Sequence, residues 1–436
     1  MSLWNRLSAP HRGRLLLAAL IVAGCSTAAL VDARMESPSE PRWWKGNLHT
    51  HSLWSDGDDY PEMIVDWYRQ RGYQFLALSD HNVLSEGERW IDAEKNRGGG
   101  AALEKYRKRF GSEWVEERTA AGKTQVRLKP IGEYRHLFEE PNRFLLIQSE
   151  EITDSFQRKP IHMNAHNLRE LIKPQGGKSV TEVMQNNVNA VLEQRRRTGQ
   201  PMFPHLNHPN FGWAVTAEDM LPLRGERFFE VYNGHPAVYN YGDDQHAGTE
   251  RIWDILLSQR LAEPGGEVMY GLATDDSHQY HSSSIKLSNP GRGWVTVRAR
   301  KLTPEAIIHA MEAGEFYAST GVELADVSRE TSRYALKIKG ERGVSYRTQF
   351  IGTRKGFDRT STPVRGKDGQ PLPVTRRYSR EIGVVLAEVP GTSPTYTLKG
   401  DELYVRAKVI STRPQQNPFR EGDTEVAWTQ PLVPSR

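Results

Sequence analysis

Short apolar runs alternate with amphipathic stretches through most of the chain. Residues 74–78 (QFLAL), 142–148 (NRFLLIQ), 228–232 (FFEVY) and 268–273 (VMYGLA) read as buried strands, since a strand covered on both faces loses its period-two alternation. Residues 61–71, 180–195 and 250–259 carry helical patterns between them. Strands alternating with helices predict an α/β fold on a mainly parallel sheet or barrel, in which functional groups gather at the carboxyl ends of strands. Those ends here carry Ser79-Asp80-His81, Ser149-Glu150-Glu151 and Asp275-Asp276. From 323 to 436 the pattern changes to alternation, as at 334–338 and 402–407, with Pro, Gly and Thr between. That segment predicts a small β-rich, sandwich-like C-terminal domain. Residues 85–141 interrupt the α/β rhythm with a charged insertion holding one predicted helix over 101–118. It reads as a solvated excursion, or else as a lid over the site.

Composition narrows the class. A hydrophobic fraction of 37% and a mean hydropathy of −0.65 exclude a polytopic membrane protein, and 11 Trp, 16 Tyr and 13 Phe exclude wholesale disorder. The net charge of +4 is spread along the chain without a basic stripe, so no nucleic-acid partner is expected. Cys25 stands alone, so no intrachain disulfide forms. Before it lie Arg6, Arg12 and Arg14 and the apolar run 15–23, too short to span a bilayer and typical of a signal peptide. Val22-Ala23-Gly24-Cys25 resembles the bacterial lipobox. The expectation is removal of residues 1–24, a lipid anchor on Cys25, a tether over 25–42, and residence in the bacterial cell envelope on the periplasmic side. A soluble secreted protein is the alternative. Oligomeric state is not written in the sequence.

The histidines locate the chemistry. Twelve of 14 lie between His49 and His281, and none follows His309. His49 and His51 stand two apart at a predicted strand end, so both rings share one face and can reach one ion. Asp56 follows in Ser55-Asp56-Gly57; His81 and Glu151 close two strands; His162 and His166 lie in HMNAH, His205 and His208 in HLNHP, and Asp276 and His278 form D-x-H. Such groups gathered at buried strand ends are costly unless paired or metal-bound. They are too many for one zinc, which takes about four ligands. They suit two or three divalent ions (Zn, Mn or Fe) sharing a bridging carboxylate.

In their order, HTHSLWSDG, LSDHN, SEEIT, HMN, NHP and DDSH resemble the successive motifs of the PHP (polymerase and histidinol phosphatase) superfamily of metal-dependent hydrolases. The resemblance covers about residues 43–320, within a metallohydrolase domain expected over 43–322, and GEFYASTG at 314–321 is similar to the closing segment of an exported, carbaryl-hydrolase-like branch. It implies a distorted (β/α)7 barrel with a trinuclear site. It further implies His49, His51 and Asp276 on one ion, Glu151 bridging to a second held by His162 and His208, and Asp56, His81 and His278 on a third. Glu150, His166, His205 and Asp275 remain open as substitutes for their neighbours. His235 and His281 are candidates for proton transfer to a leaving group. Asp80 and Glu230 are candidates for orienting ligand imidazoles, and Trp43, Trp44, Trp54 and Trp213 for a hydrophobic rim. The expected activity is hydrolysis of a small-molecule ester by activated water, first a phosphoester. A carbamate, carboxylic ester or amide is the alternative, and an exported metal-binding or adhesion protein without turnover is the reading from another class.

Overall fold

The computed structural model describes residues 40–434. The signal peptide, Cys25 and most of the 25–42 tether lie outside the described residues. Thirteen strands form the main sheet: β1 (Arg42–Asn47), β2 (Phe75–Leu78), β3 (Leu145–Phe156), β4 (Lys159–His166), β5 (Phe203–Leu206), β6 (Phe228–Asn233), β7 (Tyr270–Thr274), β8 (Trp294–Ala299), β9 (Phe316–Ser319), β10 (Tyr346–Arg354), β11 (Val384–Pro390), β12 (Glu402–Pro414) and β13 (Thr424–Thr429). Their order is β7-β6-β5-β4-β3-β2-β1-β8-β9-β13-β12-β10-β11. β1, β2 and β3 pair in parallel, as do β5, β6 and β7, while β4 runs antiparallel to both its neighbours. Gly46 permits the first of these pairings, because a Cβ there would stand 2.3 Å from the Phe75 ring.

No ladder joins β7 to β1 among the described residues, yet their carboxyl ends meet at one parallel bridge between Thr50 and Ser277. The Asp276 N–H donates to the His49 carbonyl and the His51 N–H to the Ser277 carbonyl, each at 3.0 Å. β1 to β7 are therefore curled so that the first and last touch at one rim. Phe75, Ile147, Phe203, Phe228 and Leu272, one from each of five strands, share a buried core with Ile307 and Ile308. The latter lie on the helix Pro304–Glu312, which Thr303 caps and Pro304 opens.

The predicted helices form as Pro61–Gln70, Val180–Thr198 and Thr249–Leu261. The second is capped by Ser179 and ends at Gly199 in the left-handed conformation (φ 68°). Val183, Met184 and Val188 from it pack with Ile252, Trp253 and Leu256 from the third, each burial contributing about 1.5–3 kcal/mol.

Four expectations change. The strand at 142–148 begins at Leu145, runs on to Phe156 and folds back as β4, so HMNAH is strand. In the insertion the helix spans only Gly99–Phe110, because Gly111 turns out at φ 86°; Glu117–Ala120 is instead a strand in a small sheet with Arg89–Asp92 and Lys123–Leu128. Tyr106, Leu103 and Val126 from this insertion bury themselves against Trp54 and Tyr60, so much of it is packed rather than solvated. Trp44 and Trp54 are core residues, 3% and 2% exposed.

Four strands of the β-rich tail prolong the main sheet, β13 pairing with β9. Asp254 on the third helix accepts two hydrogen bonds from Arg406 (2.8 and 2.7 Å) and one from the Tyr404 hydroxyl (2.8 Å), all buried.

Buried Glu226 sets a pH dependence of stability. Burial pushes its carboxyl up to about 8, against the Phe228 amide and the Arg260 guanidinium. Between the ordinary carboxylate range and pH 8 the unfolded chain gives up this proton and the folded chain keeps it, so stability falls as pH rises through that window. Glu226→Gln removes this slope. The parent should lose more of its melting temperature between pH 5 and pH 8 than the variant, and equal losses would show that Glu226 titrates normally.

Candidate metal centre

The curled rim brings together groups that lie within or just after six strands, β1 to β5 and β7. His49 and His51 follow β1, and the alternation of extended backbone puts both rings inward. Glu151 on β3 is the hub. Its Oε2 lies 3.4 Å from His49 Nε2, 3.2 Å from His51 Nε2 and 2.9 Å from His81 Nδ1. Its Oε1 lies 3.0 Å from His162 Nδ1 and 3.6 Å from His208 Nε2. Asp276 Oδ1 sits 3.3 Å from His49 Nε2 and 3.2 Å from His51 Nε2. Asp56 Oδ1 sits 3.2 Å from His278 Nε2 and 3.5 Å from His81 Nε2. All nine residues named as ligands thus face one cavity.

Cation-sized groupings form among them: His51 with Asp56, His81 and His278; His49 with His51 and Glu151; His81 with Glu151 and His162; His49 with His208 and Asp276. Glu151 occupies the shared position that the resemblance implies. The other donors overlap between groupings more than a strict division into three sets would have it.

Five buried atoms here have no hydrogen-bond partner: His49 Nε2, both ring nitrogens of His51, Glu151 Oε2 and His162 Nδ1. An orphaned buried polar atom costs about 1–3 kcal/mol, so five in one cavity are the mark of a missing shared partner. Imidazole nitrogens with carboxylate oxygens fit zinc, manganese or iron. Burial pushes the Glu151 carboxyl up, but the imidazoles of His81, His49 and His162 outweigh it and hold the group well below the usual range. Asp276 is held down likewise by His49, His51 and His278 against burial. Both stay ionised, as cation ligands must.

The surrounding residues fix these donors. Glu230 Oε1 accepts from His49 Nδ1 at 2.7 Å and from the Thr274 hydroxyl at 2.7 Å; Oε2 accepts from the His208 N–H at 2.8 Å and Asn233 Nδ2 at 2.7 Å. An ionised carboxylate only accepts, so Nδ1 carries the proton and Nε2 turns its lone pair inward. His278 Nδ1 donates to the Asp276 carbonyl at 2.9 Å, with the same result. Asp80 acts on the loop instead of on a ring, accepting from Ser52 N–H (2.7 Å) and the hydroxyls of Ser52 (2.7 Å) and Ser55 (2.6 Å). Asp276 holds φ at 48°, a costly conformation for a non-glycine residue, kept by its N–H bond to His49.

Glu230→Gln should weaken metal affinity about 10- to 100-fold while the fold persists. Competition against a chelator of known affinity measures this, and unchanged affinity would deny Glu230 its orienting role.

The open alternatives separate cleanly. Glu150 points to the opposite face, where Oε1 accepts from the Ile172 N–H at 2.7 Å. Asp275 clamps the loop after β7, accepting from Tyr68, Gly291, Arg292 and Gly293. His166 bonds to Ser149 and His205, and His205 to Glu230, behind the centre. His235 stands at the mouth, its ring 5.5 Å from that of His278. His281 lies apart, exposed, its Nε2 donating to the Asp58 carbonyl at 2.8 Å.

Sequence reasoning missed several neighbours. Asn207 Nδ2 donates to Glu151 Oε1 at 2.7 Å, and Asn233 Nδ2 to Asp276 Oδ2 at 3.1 Å. Asn207 adjoins His208 in HLNHP and could have been read from that motif. Arg97, from the insertion, comes within 3.5 Å of Asp56. Phe211 lies 5.1 Å from the His208 ring, 6.1 Å from His162 and 6.0 Å from His235. Neither had a sequence signal. Trp213, another of the rim candidates, stacks on Tyr239 and His246.

No protein-family model matches the chain, and no curated protein matches it. Among solved structures, it is similar to a two-domain protein from Bacteroides vulgatus described as containing a predicted PHP-like metal-dependent phosphoesterase, at 14% identity and a TM-score of 0.38 over 90% of this chain and 96% of the other. It is also similar to an amidohydrolase from Chromobacterium violaceum with bound sulfate and no metal, at 13% identity and a TM-score of 0.27 over 54% of this chain and 88% of the other. Likeness of this order is too slight to carry chemistry from one chain to another.

Proposed function

We propose that the chain is a metal-dependent hydrolase of PHP type, working on a phosphoester, with β1 to β7 as its distorted seven-stranded barrel. The carrying observation is the convergence of nine imidazole and carboxylate side chains around five unpartnered buried atoms. Two or three ions of zinc, manganese or iron would be held by His49, His51, Asp56, His81, Glu151, His162, His208, Asp276 and His278. Bound there, they would supply an activated water and polarise the substrate oxygen.

The chain's own groups do the rest. Glu151 and Asp276 keep the centre anionic, and Glu230 and Asn233 hold its donors in register. Burial lowers His235 to about 4, so its ring is neutral at pH 7. His235 Nδ1 accepts from the Ala237 N–H at 3.1 Å, which leaves the Nε2 N–H as a hydrogen-bond donor to the charge that develops on the departing oxygen. Arg97 at the rim favours phosphate, whose oxygens its planar fork can pair. Phe211 favours the second reading, a carbamate, carboxylic ester or amide with an apolar side, as on the exported branch that 314–321 resembles. We further propose, on the strength of residues 6–25, that the protein is exported to the bacterial cell envelope and lipid-anchored through Cys25 on the periplasmic side.

Metal analysis of the purified protein followed by paired assays with a bis-aryl phosphate and an aryl carbamate tests this. At least two ions per chain and faster phosphate turnover are expected. A protein that takes up none of the three metals would end the reading, and carbamate turnover alone would replace it with the second.

A further inference from the structure

A cavity of about 600 Å³ opens beside the centre, lined by Lys45, Trp67, Arg71, Tyr73, Tyr280 and His281 among others. Tyr280 forms part of the wall between the two, its hydroxyl donating to the His51 carbonyl at 2.8 Å. The lining holds Lys45, Arg71 and His281 and no Asp or Glu. Lys45 Nζ sits 4.0 Å from the Tyr73 ring centre and 3.8 Å from that of Trp294, with no hydrogen-bond acceptor among the described residues. Burial lowers this amine to about 8, partly offset by Asp275 and Glu323. Neither acid is spare: Asp275 is saturated by its four donors, and Glu323 pairs with Lys339 at 2.9 Å. The Arg71 guanidinium lies over Trp67 at 4.0 Å and donates to the Trp67 carbonyl, without a carboxylate partner shown.

A cation drawn out of water and given ring faces but no acceptor is incompletely compensated. Lys45 is such a cation, and with Arg71, which lies exposed over Trp67, it lines one concave, acid-free space walled by flat rings, which describes a receptor for an anion with an aromatic body. We propose that this cavity is a second ligand site, distinct from the metal centre, which takes a small aromatic carboxylate through Lys45 and Arg71. The proposal requires nothing of the hydrolase reading.

Calorimetric titration of the purified protein, metals in place, with benzoate tests it. Single-site saturation in the micromolar to millimolar range is expected. Lys45→Met and Arg71→Gln should each weaken binding about tenfold, while Lys45→Arg keeps it within about threefold. Benzyl alcohol, without the charge, and inorganic phosphate, without the ring, should each displace bound benzoate at least about tenfold more weakly than unlabelled benzoate does, a readout that phosphate bound at the metal centre leaves unmoved. If Lys45→Met fails to fold, Arg71→Gln and the two comparison ligands decide. Benzoate that does not saturate, that binds both variants as tightly as the parent, or that phosphate matches would overturn the proposal. Because no turnover is measured, an inactive protein leaves this test intact.

Discussion

Glu151→Gln should lose at least one ion per chain and lower turnover by roughly three orders of magnitude, the equivalent of about 4 kcal/mol of transition-state stabilisation. The substitution keeps the side chain's shape and removes its charge. In the parent, Oε1 faces His162, His208 and Asn207, and Oε2 faces His49, His51 and His81. An amide would set an N–H₂ donor where one of these oxygens accepts, and would cut the anionic character on which cation affinity depends. Elemental analysis by mass spectrometry, with single-substrate kinetics on the same sample, reads both effects. A variant with full metal content and full turnover would remove Glu151 from the hub, and the common-site reading with it.

The largest effect on stability should come from Asp254→Ala, at about 3–5 kcal/mol, because it leaves the buried Arg406 charge without its hydrogen-bonded partner and with only Glu250, 3.6 Å away and shared with Lys408, to balance it. Arg406 is 1% exposed, and both its donors to Asp254 lie within 2.8 Å. The Tyr404 hydroxyl loses an acceptor as well. Urea denaturation measures the loss. The double variant Asp254→Ala with Arg406→Met should recover much of it, since replacing both partners removes the uncompensated charge. A single-variant loss under about 1 kcal/mol would mean that water reaches the guanidinium and the pair is not sealed.

The strand ends were legible in the sequence for a physical reason. A strand buried on both faces is a solid apolar run, and polar groups appearing abruptly at its end have no structural excuse. His81, Glu151 and Asp276 could be found that way. The β3–β4 hairpin could not, since its turn is made by Gln157 and Arg158, both at positive φ (49° and 68°), a conformation that Asn-Gly or Asp-Gly would have announced. The helix in the insertion was overextended because its charged continuation, 111–118, keeps a helical composition after Gly111 has broken the backbone. Arg97 and Phe211 were invisible because tertiary packing alone brings them to the centre. The choice of Glu151 over Glu150 needed the strand's phase: one residue of register moves a carboxylate from the cavity to an apolar pocket.

The seam between β9 and β13 has a consequence for any attempt to shorten the protein. A chain cut after residue 322 would keep every proposed metal ligand and lose the strand that covers β9. The exposed row of amides and carbonyls would then recruit its missing neighbour from other molecules. Such a fragment would fail by self-association in solution, with the side chains of the candidate centre all still encoded.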